Sequence, residues 1–438
     1  MIAWIIAALV LLLLSIVFDM GLLLYAVYAI AAVLFLSRWV TRRWAEELHA
    51  ERHCDRVQVD EGETVTVMIQ VENRGWLPIA WCLIEDLLPA EALFWKPPRL
   101  AVSGKRIALL RLGQGQRQQL MYQFRCNRRG YYQIGPLVME TGDFFGLHRR
   151  FRVASQPQFV TVLPSTLPLD GYDVASKRPI GEVKMTYRIF EDPTRIAGVR
   201  KYELGDPMNR VNWRATARTG ELHSKVYEPS TIAGATILLD FHVDSFARKN
   251  EPVRSELAIK TAASLANAVY EMGQQFGLVS NGRDAVDRIR AEGWAPDART
   301  RDEARESAQM VSESDRLRPQ IVPTRRGSDQ LMLVLEALAR LELTNGLDVT
   351  QLVLEAGARL PRDTTLIPIL TQVSAETAIA LGNLARQGYS VSAVINVHSV
   401  EEFAAASGPL LNEGIETRHL RDEASIREIC RAETLLLT

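Results

Sequence analysis

From Ile2 to Ser37 the chain carries a single charge, Asp19, set in a run of Ile, Leu, Val and Ala. No other feature limits the fold so strongly. As one helix the run would reach about 54 Å, well beyond the ~30 Å hydrocarbon core of a bilayer. As two helices joined at Asp19-Met20-Gly21, each would span about 25–27 Å, which suffices. The pattern predicts a transmembrane helical hairpin, because backbone groups in lipid must be satisfied internally. Arg38, Arg42 and Arg43 follow the second span, and no Lys or Arg precedes the first. The positive-inside rule therefore predicts a multi-pass protein with its large C-terminal portion in the cytoplasm. A cleaved signal peptide is the alternative. It lacks support, since the basic n-region is missing and the apolar run is too long.

The rest of the chain has an ordinary globular composition. Its 438 residues suit about three domains. A net charge of −1 suggests neither a nucleic-acid binder nor a protein seeking acidic partners. Cys54, Cys82, Cys126 and Cys430 lie far apart, with no disulfide framework and no zinc spacing. Such dispersal agrees with a reducing compartment.

Along the chain, residues 1–40 are read as the two spans and 41–54 as a juxtamembrane helix. Residues 55–164 are strand-rich. Val65, Val67, Ile69 and Val71 alternate along Thr64–Glu72, and Leu120, Tyr122, Phe124 and Cys126 alternate along Gln119–Cys126. Period-2 segments bounded by Gly, Pro and Asn predict an Ig-like antiparallel β-sandwich. Residues 165–199, interrupted by Pro168, Pro179 and Pro193, read as a connector. Residues 200–233 form a distinct segment treated below. From residue 234 to 438 strands and helices alternate: Thr236–Asp240 and Thr365–Thr371 are strand-like, Ser255–Met272 and Ala375–Arg386 helical. That alternation predicts an α/β domain with a mostly parallel sheet. Residues 283–318, rich in Arg, Asp, Glu and Ser, read as a polar insertion.

Several chemistries lack their signatures. No G-x-x-x-x-G-K-[ST] loop, G-x-G-x-x-G, G-x-S-x-G or H-E-x-x-H occurs. His49 and His53 stand four apart on an expected helix beside Cys54. Two ligands do not complete a tetrahedral site, and two solvated imidazoles are the simpler reading. At the end of the first strand of the α/β domain stand Asp240, His242 and Asp244, at the sheet edge where ligands gather. They are the candidate metal ligands, and Mg²⁺ would be the hard cation to suit the carboxylates. The preferred reading is a loop that has lost its metal, since cation sites need several converging oxygens. No cofactor is therefore expected.

Arg200–Glu228 is dense in Tyr, Trp and Arg. Six Lys/Arg residues are offset by Glu203, Asp206, Glu221 and Glu228, which argues against nucleic acid. A structural clasp fits better. In it Asp206 closes a turn or pairs with Arg200 or Arg210, Trp213 anchors the segment on the sheet domain, and Arg218 pairs with a carboxylate. The same residue types dominate binding hot spots, so the clasp is also a candidate docking surface.

This segment carries a family pattern: Arg200, Tyr202, Gly205, Asp206, Asn209, Arg210, Asn212, Trp213, Thr216, Ala217 and Arg218, then Leu222, Tyr227 and Glu228. With Arg129-Gly130-Tyr131-Tyr132 and Gly142–Leu147, the chain resembles the domain-of-unknown-function 58 family of bacterial membrane proteins. The resemblance implies a von Willebrand factor A-like C-terminal domain, in which a D-x-S-x-S loop binds Mg²⁺. Here His242 and Asp244 replace the two serines. It also implies placement in the bacterial inner membrane and a role as a non-enzymatic, membrane-anchored adaptor. The partners would be a MoxR-type AAA+ ATPase and an unknown client protein. A metal-dependent enzyme using Asp240–Asp244, or an envelope scaffold without an ATPase, are the alternatives.

Overall fold

In the computed structural model the described residues are 10, 13, 21–94, 97–169, 191–202, 211–229, 234–292, 303, 318–357, 359–361, 364–387 and 389–429. The chain divides into two compact units: Met1–Pro164 with Asp284–Glu313 and Ala339–Leu341, and the remainder.

In the first unit, Gly21–Glu47 is one continuous helix, α1. Among the described residues no helix is long and apolar enough to cross a membrane. This corrects the expected hairpin, and with it the multi-pass inner-membrane placement and the membrane as a partner. The first expected span and the joint at Asp19-Met20 lie outside the described residues, apart from Val10 and Leu13. The physical reason lies in what the end of α1 touches. The helix runs on without a break through Arg38, Arg42 and Arg43. Ser37, Thr41 and Trp44 are buried against β structure. The Ser37 hydroxyl donates to the Asp143 carboxylate and lies 2.8 Å from His148 Nδ1. Trp44 meets Phe144 edge-on at 5.5 Å. The last three turns of this helix therefore rest on a protein core.

Strands follow at once: β1 Leu48–Cys54, β2 Gln58–Asp60, β3 Thr64–Asn73, β4 Ile79–Asp86, β5 Leu100–Gly104, β6 Ile107–Leu112, β7 Arg117–Cys126, β8 Gly130–Ile134, β9 Leu137–Gly142, β10 Arg149–Ser155 and β11 Gln158–Leu163. They form antiparallel sheets ordered β1-β3-β7-β5 and β10-β9-β4-β6, and a smaller β2-β11-β8 sheet in which β2 and β11 run parallel. The alternation in the sequence sets the inward face. Val65, Val67, Ile69 and Val71 are all fully buried, while Met68 and Gln70 between them are exposed. Each such side chain contributes about 1.5–3 kcal/mol. Leu48–Cys54 is strand where a juxtamembrane helix is expected. It pairs along its whole length with Val67–Asn73 of β3. Four residues along a strand is about 13 Å. His49 and His53 therefore cannot close on one metal as they would on a helix.

The second unit holds two sheets. The strands β12 Glu191–Lys201 and β13 His223–Pro229 pair antiparallel with register shifts near Ile196. The start of β12 falls where a connector is expected. Pro193 and Gly198 hide the alternation, and the ladder with β13 supplies the order. The six-stranded sheet contains β14 Gly234–Leu239, β15 Gln275–Ser280, β16 Gln320–Arg325, β17 Thr365–Leu370, β18 Ser390–Asn396 and β19 Glu416–Leu420. Its order is β16-β15-β14-β17-β18-β19, parallel except for the β15–β16 edge pair. All six residues of β14 are buried, as a central strand covered on both faces must be. Of the expected polar insertion, Ala285–Glu292 is a helix, and 293–302 and 304–317 lie outside the described residues.

Candidate functional site

The motif segment is built on the β12–β13 ribbon. The helix α2, Trp213–Thr219, lies between the two strands in sequence. Asn212 starts it. Its Oδ1 accepts from the Ala215 N–H at 3.2 Å and its carbonyl accepts from the Thr216 N–H at 3.0 Å. These are the bonds an N-cap asparagine supplies. Gly220 ends it with φ 75°, the left-handed conformation that suits a residue without a Cβ. Asn212 N–H donates to the His223 carbonyl at 2.8 Å, tying the start of the helix to β13, and Tyr202 N–H donates to the Leu222 carbonyl at 2.9 Å, extending the pairing between the two strands. The Thr216 hydroxyl accepts from the His223 N–H at 3.1 Å. Lys201 and Glu221 form an exposed ion pair.

This scaffold presents Trp213 outward. The side chain stands in the first turn of α2 and is 63% exposed, so it does not anchor the segment on a sheet as expected. Ala217 and Arg218 are exposed on the same short helix, and Arg200 lies opposite Ser224 on the ribbon. Tyr227 and Glu228 belong to β13, with Tyr227 in register with Ile196. Gly205, Asp206, Asn209 and Arg210 lie outside the described residues. The structure thus brings Arg200, Tyr202, Asn212, Trp213 and Arg218 onto one ribbon-and-helix unit.

The second candidate group lies past β14. Asp240 is almost completely buried. Its Oδ1 accepts from the Asn281 amide at 2.9 Å and from the His242 N–H at 3.2 Å. Its Oδ2 makes no hydrogen bond. Burial pushes the Asp240 carboxyl above its ordinary pKa. The Ser245 hydroxyl, the Asn281 amide and the His242 N–H act the other way. The Ser245 group does so without closing a bond of ordinary geometry to Oδ2. His242 Nδ1 accepts from the Asp244 N–H at 3.2 Å and so caps the turn Val243–Ser245. The Asp244 carboxylate stands in solvent. The three expected ligands are therefore split between a buried acid, a capping imidazole and a surface acid. Among the described residues no three His, Cys, Asp or Glu side chains gather as a metal would need.

Asn281, which the sequence presents only as half of an Asn-Gly turn, is the residue that organises this loop. Besides Asp240 it receives the Phe241 N–H at 2.6 Å and donates to the Leu347 carbonyl at 2.9 Å. Its signal was its place at the end of β15, the neighbour of β14.

A buried acid with one bare oxygen predicts an unusual substitution effect. The folded-state pKa of Asp240 is raised above its unfolded value. Its contribution to stability is therefore fully present below the unfolded pKa and is lost as pH rises through the folded one. Asp240→Asn keeps the acceptor for Asn281 and His242 and removes the buried charge. It is expected to stabilise the fold by about 1 kcal/mol at pH 7, or roughly 2–4 °C in Tm, with the gain vanishing near pH 4. Thermal scans at both pH values check this. A cation held by Asp240 would reverse the sign whenever Mg²⁺ is present.

Comparison with known proteins adds the following. A family model described as "Protein of unknown function DUF58" matches residues 198–293, which include the motif segment and the Asp240 loop. The uncharacterized protein YeaD of Bacillus subtilis (strain 168) is 25% identical over 239 residues, covering 54% of this chain and 56% of YeaD. The match thus spans about half the length of that relative. Among solved structures, the CARDB domain of the PF1109 protein from Pyrococcus furiosus, a complex with di-metal ions, aligns at TM-score 0.20. It shows 12% identity over 26% of this chain and 91% of its own. Proximal thread matrix protein 1 from the mussel byssus aligns at TM-score 0.28, with 11% identity over 45% of each chain. Both likenesses are too slight to bear on this chain's chemistry.

Proposed function

On the premise that residues 198–293 place the chain in the domain-of-unknown-function 58 family, we propose that it is a protein-interaction adaptor whose docking surface is the Arg200–Glu228 ribbon. The partner on this reading is a MoxR-type AAA+ ATPase, and the consequence of docking is assembly or activation of a client protein. One observation supports it above all: the large exposed indole of Trp213 on a helix fixed at both ends. A tryptophan left in water by its own fold, yet held rigid by an Asn cap and a Gly stop, loses little further freedom on binding. Such residues supply most of the energy of protein interfaces. Arg218 in the last turn and Arg200 on the ribbon add cations to the same ribbon-and-helix unit. They suit an acidic or carbonyl-rich partner surface.

The test uses purified full-length chain and the purified MoxR-type ATPase of the same organism, with ATP or ADP present. Saturable binding is expected, and Trp213→Ala should weaken it by at least tenfold, equivalent to about 1.4 kcal/mol or more. Unchanged circular dichroism would show that the exposed side chain is not needed for folding. No binding in either nucleotide state, or equal binding by the Ala variant, would remove this reading.

A further inference from the structure

A cleft of about 360 Å³ opens past the carboxyl ends of the parallel strands, lined by Ser245, Arg254, Thr371, Asn396, His398 and Glu402 among others. Its place is informative. In sequence the sheet grows from β14 to β15 on one side and then resumes with β17 on the other. Ser245 follows β14 and Thr371 follows β17, so the cleft lies at the point where the strand order reverses. Crevices there are where open α/β sheets take their ligands.

The group that distinguishes this cleft is Arg254. It sits in the first turn of the helix α3, Val253–Glu271. Cations are disfavoured at that end of a helix, where the backbone already presents partial positive charge. The side chain is nevertheless buried, at 7% exposure. Among the described residues no carboxylate forms a contact ion pair with it; those of Glu402 and Asp422 act on it from farther away. It is held instead by neutral groups, all of them on one nitrogen. Nη1 donates to Asn396 Oδ1 at 3.2 Å, to the Arg421 carbonyl at 2.9 Å and to the Leu420 carbonyl at 3.5 Å. The Asn396 amide, fully buried at the end of β18, returns a bond to the Arg254 carbonyl at 2.9 Å. A guanidinium offers five N–H donors in a planar fork. One arm is spent on fixing the side chain, which leaves Nε and Nη2 without a carboxylate in contact among the described residues. A buried charge whose counter-ions stay at a distance is costly, and an anion in contact offsets that cost.

We propose that this cleft binds a carboxylate, received by the Arg254 fork. Planar two-oxygen anions match the spacing of paired guanidinium N–H donors. The Glu402 carboxylate on the same wall sets the charge of the ligand. It caps the next helix, accepting from the His398 and Ser399 N–H groups, and its charge repels a dianion more than a monoanion. The site therefore selects a single carboxylate over a phosphate. The carboxylate comes either from a small carboxylic acid or from an acidic side chain of a protein. This goes beyond the docking role of Trp213 and does not depend on it.

The experiment is saturation-transfer NMR on the full chain at constant ionic strength. The observed probes are acetate, butyrate, a short peptide blocked at both ends with a central Glu, and the same peptide with Gln; inorganic phosphate, which has no carbon-bound proton, is read as a competitor of acetate. Saturable binding of the carboxylates is expected, with the Gln peptide silent and phosphate weaker. Arg254→Gln should weaken carboxylate binding at least tenfold. Because that variant also loosens the Asn396 contact, Ala405→Tyr serves as a second one. Ala405 lines the cleft from an exposed position on the helix after Ser399, so a tyrosine there adds bulk to the cleft and leaves the Arg254 side chain and its hydrogen-bond acceptors unchanged in identity. It should abolish binding in a folded protein. Glu402→Gln should tighten binding of all anions and narrow the gap to phosphate. A Glu peptide at least tenfold tighter than butyrate supports a protein side chain as the source, and equal affinity supports a small acid. No saturable carboxylate binding, phosphate binding tighter than acetate, or binding unaffected by Ala405→Tyr would overturn the proposal.

Discussion

Arg52→Met is expected to cost the β-rich unit about 3–5 kcal/mol at pH 7. Arg52 and Asp86 are both fully buried and meet at 2.8 Å through Nη1 and Oδ1. Asp86 Oδ2 accepts from the Tyr122 hydroxyl at 2.7 Å, and Arg52 Nη2 donates to the Gln156 carbonyl at 2.6 Å. The pair thus links β1, β4 and β7 across the two larger sheets. Methionine fills a similar volume but leaves the Asp86 carboxylate in a dry interior with only the tyrosine. The carboxyl in the variant would hold its proton more tightly folded than unfolded, so the penalty shrinks as pH falls toward 4. Adding Asp86→Leu should restore much of the loss, because an apolar pair of matched volume replaces a buried ion pair at little cost. Urea denaturation of the full chain, read through hydrogen exchange in peptides from β3 and β7, measures each variant. A single Arg52→Met variant as stable as the parent would show that the pair contributes no more than an exposed one.

Gly135→Ala is expected to cost about 3 kcal/mol or more through the same network. Gly135 is buried with φ 88°, a conformation that costs a residue with a side chain about 1–2 kcal/mol. An added Cβ would also collide with Arg52 Nη1. A flexible arginine tip normally gives way, but this one is pinned between Asp86 and the Gln156 carbonyl. Moving it strains the ion pair. The two costs separate in a double-mutant cycle. With Arg52→Met already present, Gly135→Ala should cost only its backbone share, roughly 1–2 kcal/mol. Simple additivity of the two substitutions would show that Gly135 and Arg52 do not act together.

Much of the strand pattern was legible because the physics that writes it is local. Thr64–Asn73 and Arg117–Cys126 alternate at period 2, and their apolar residues face one core. The unbroken apolar run Thr236–Leu239 marks a central strand, and Ser374 before Ala375–Arg386 marks a capped helix. Asn212 and Gly220 bracket α2 by the same local rules. The N-terminal helix was misread because hydropathy does not say what covers a surface. The partners of its last turns, Asp143, Phe144 and His148, come from more than a hundred residues later. Leu48–Cys54 was misread for a similar reason, since its polar composition favours neither state and its ladder with β3 decides it. Trp213 was read as an anchor on the sheet domain from residue type alone, and its 63% exposure shows otherwise.

The chain by itself determined where strands and helices lie wherever a side-chain period or a cap could specify them, since those signals act within a few residues. It also determined the family segment, through residue types at set spacings. Only the tertiary structure decided which polar groups meet. It paired Arg52 with Asp86, left one oxygen of Asp240 bare, sent Asp244 to solvent and seated Arg254 on neutral acceptors at the sheet edge. Those outcomes depend on burial and on contacts between distant segments. Whether a charge finds its counter-ion is settled when strands far apart in sequence come to lie side by side.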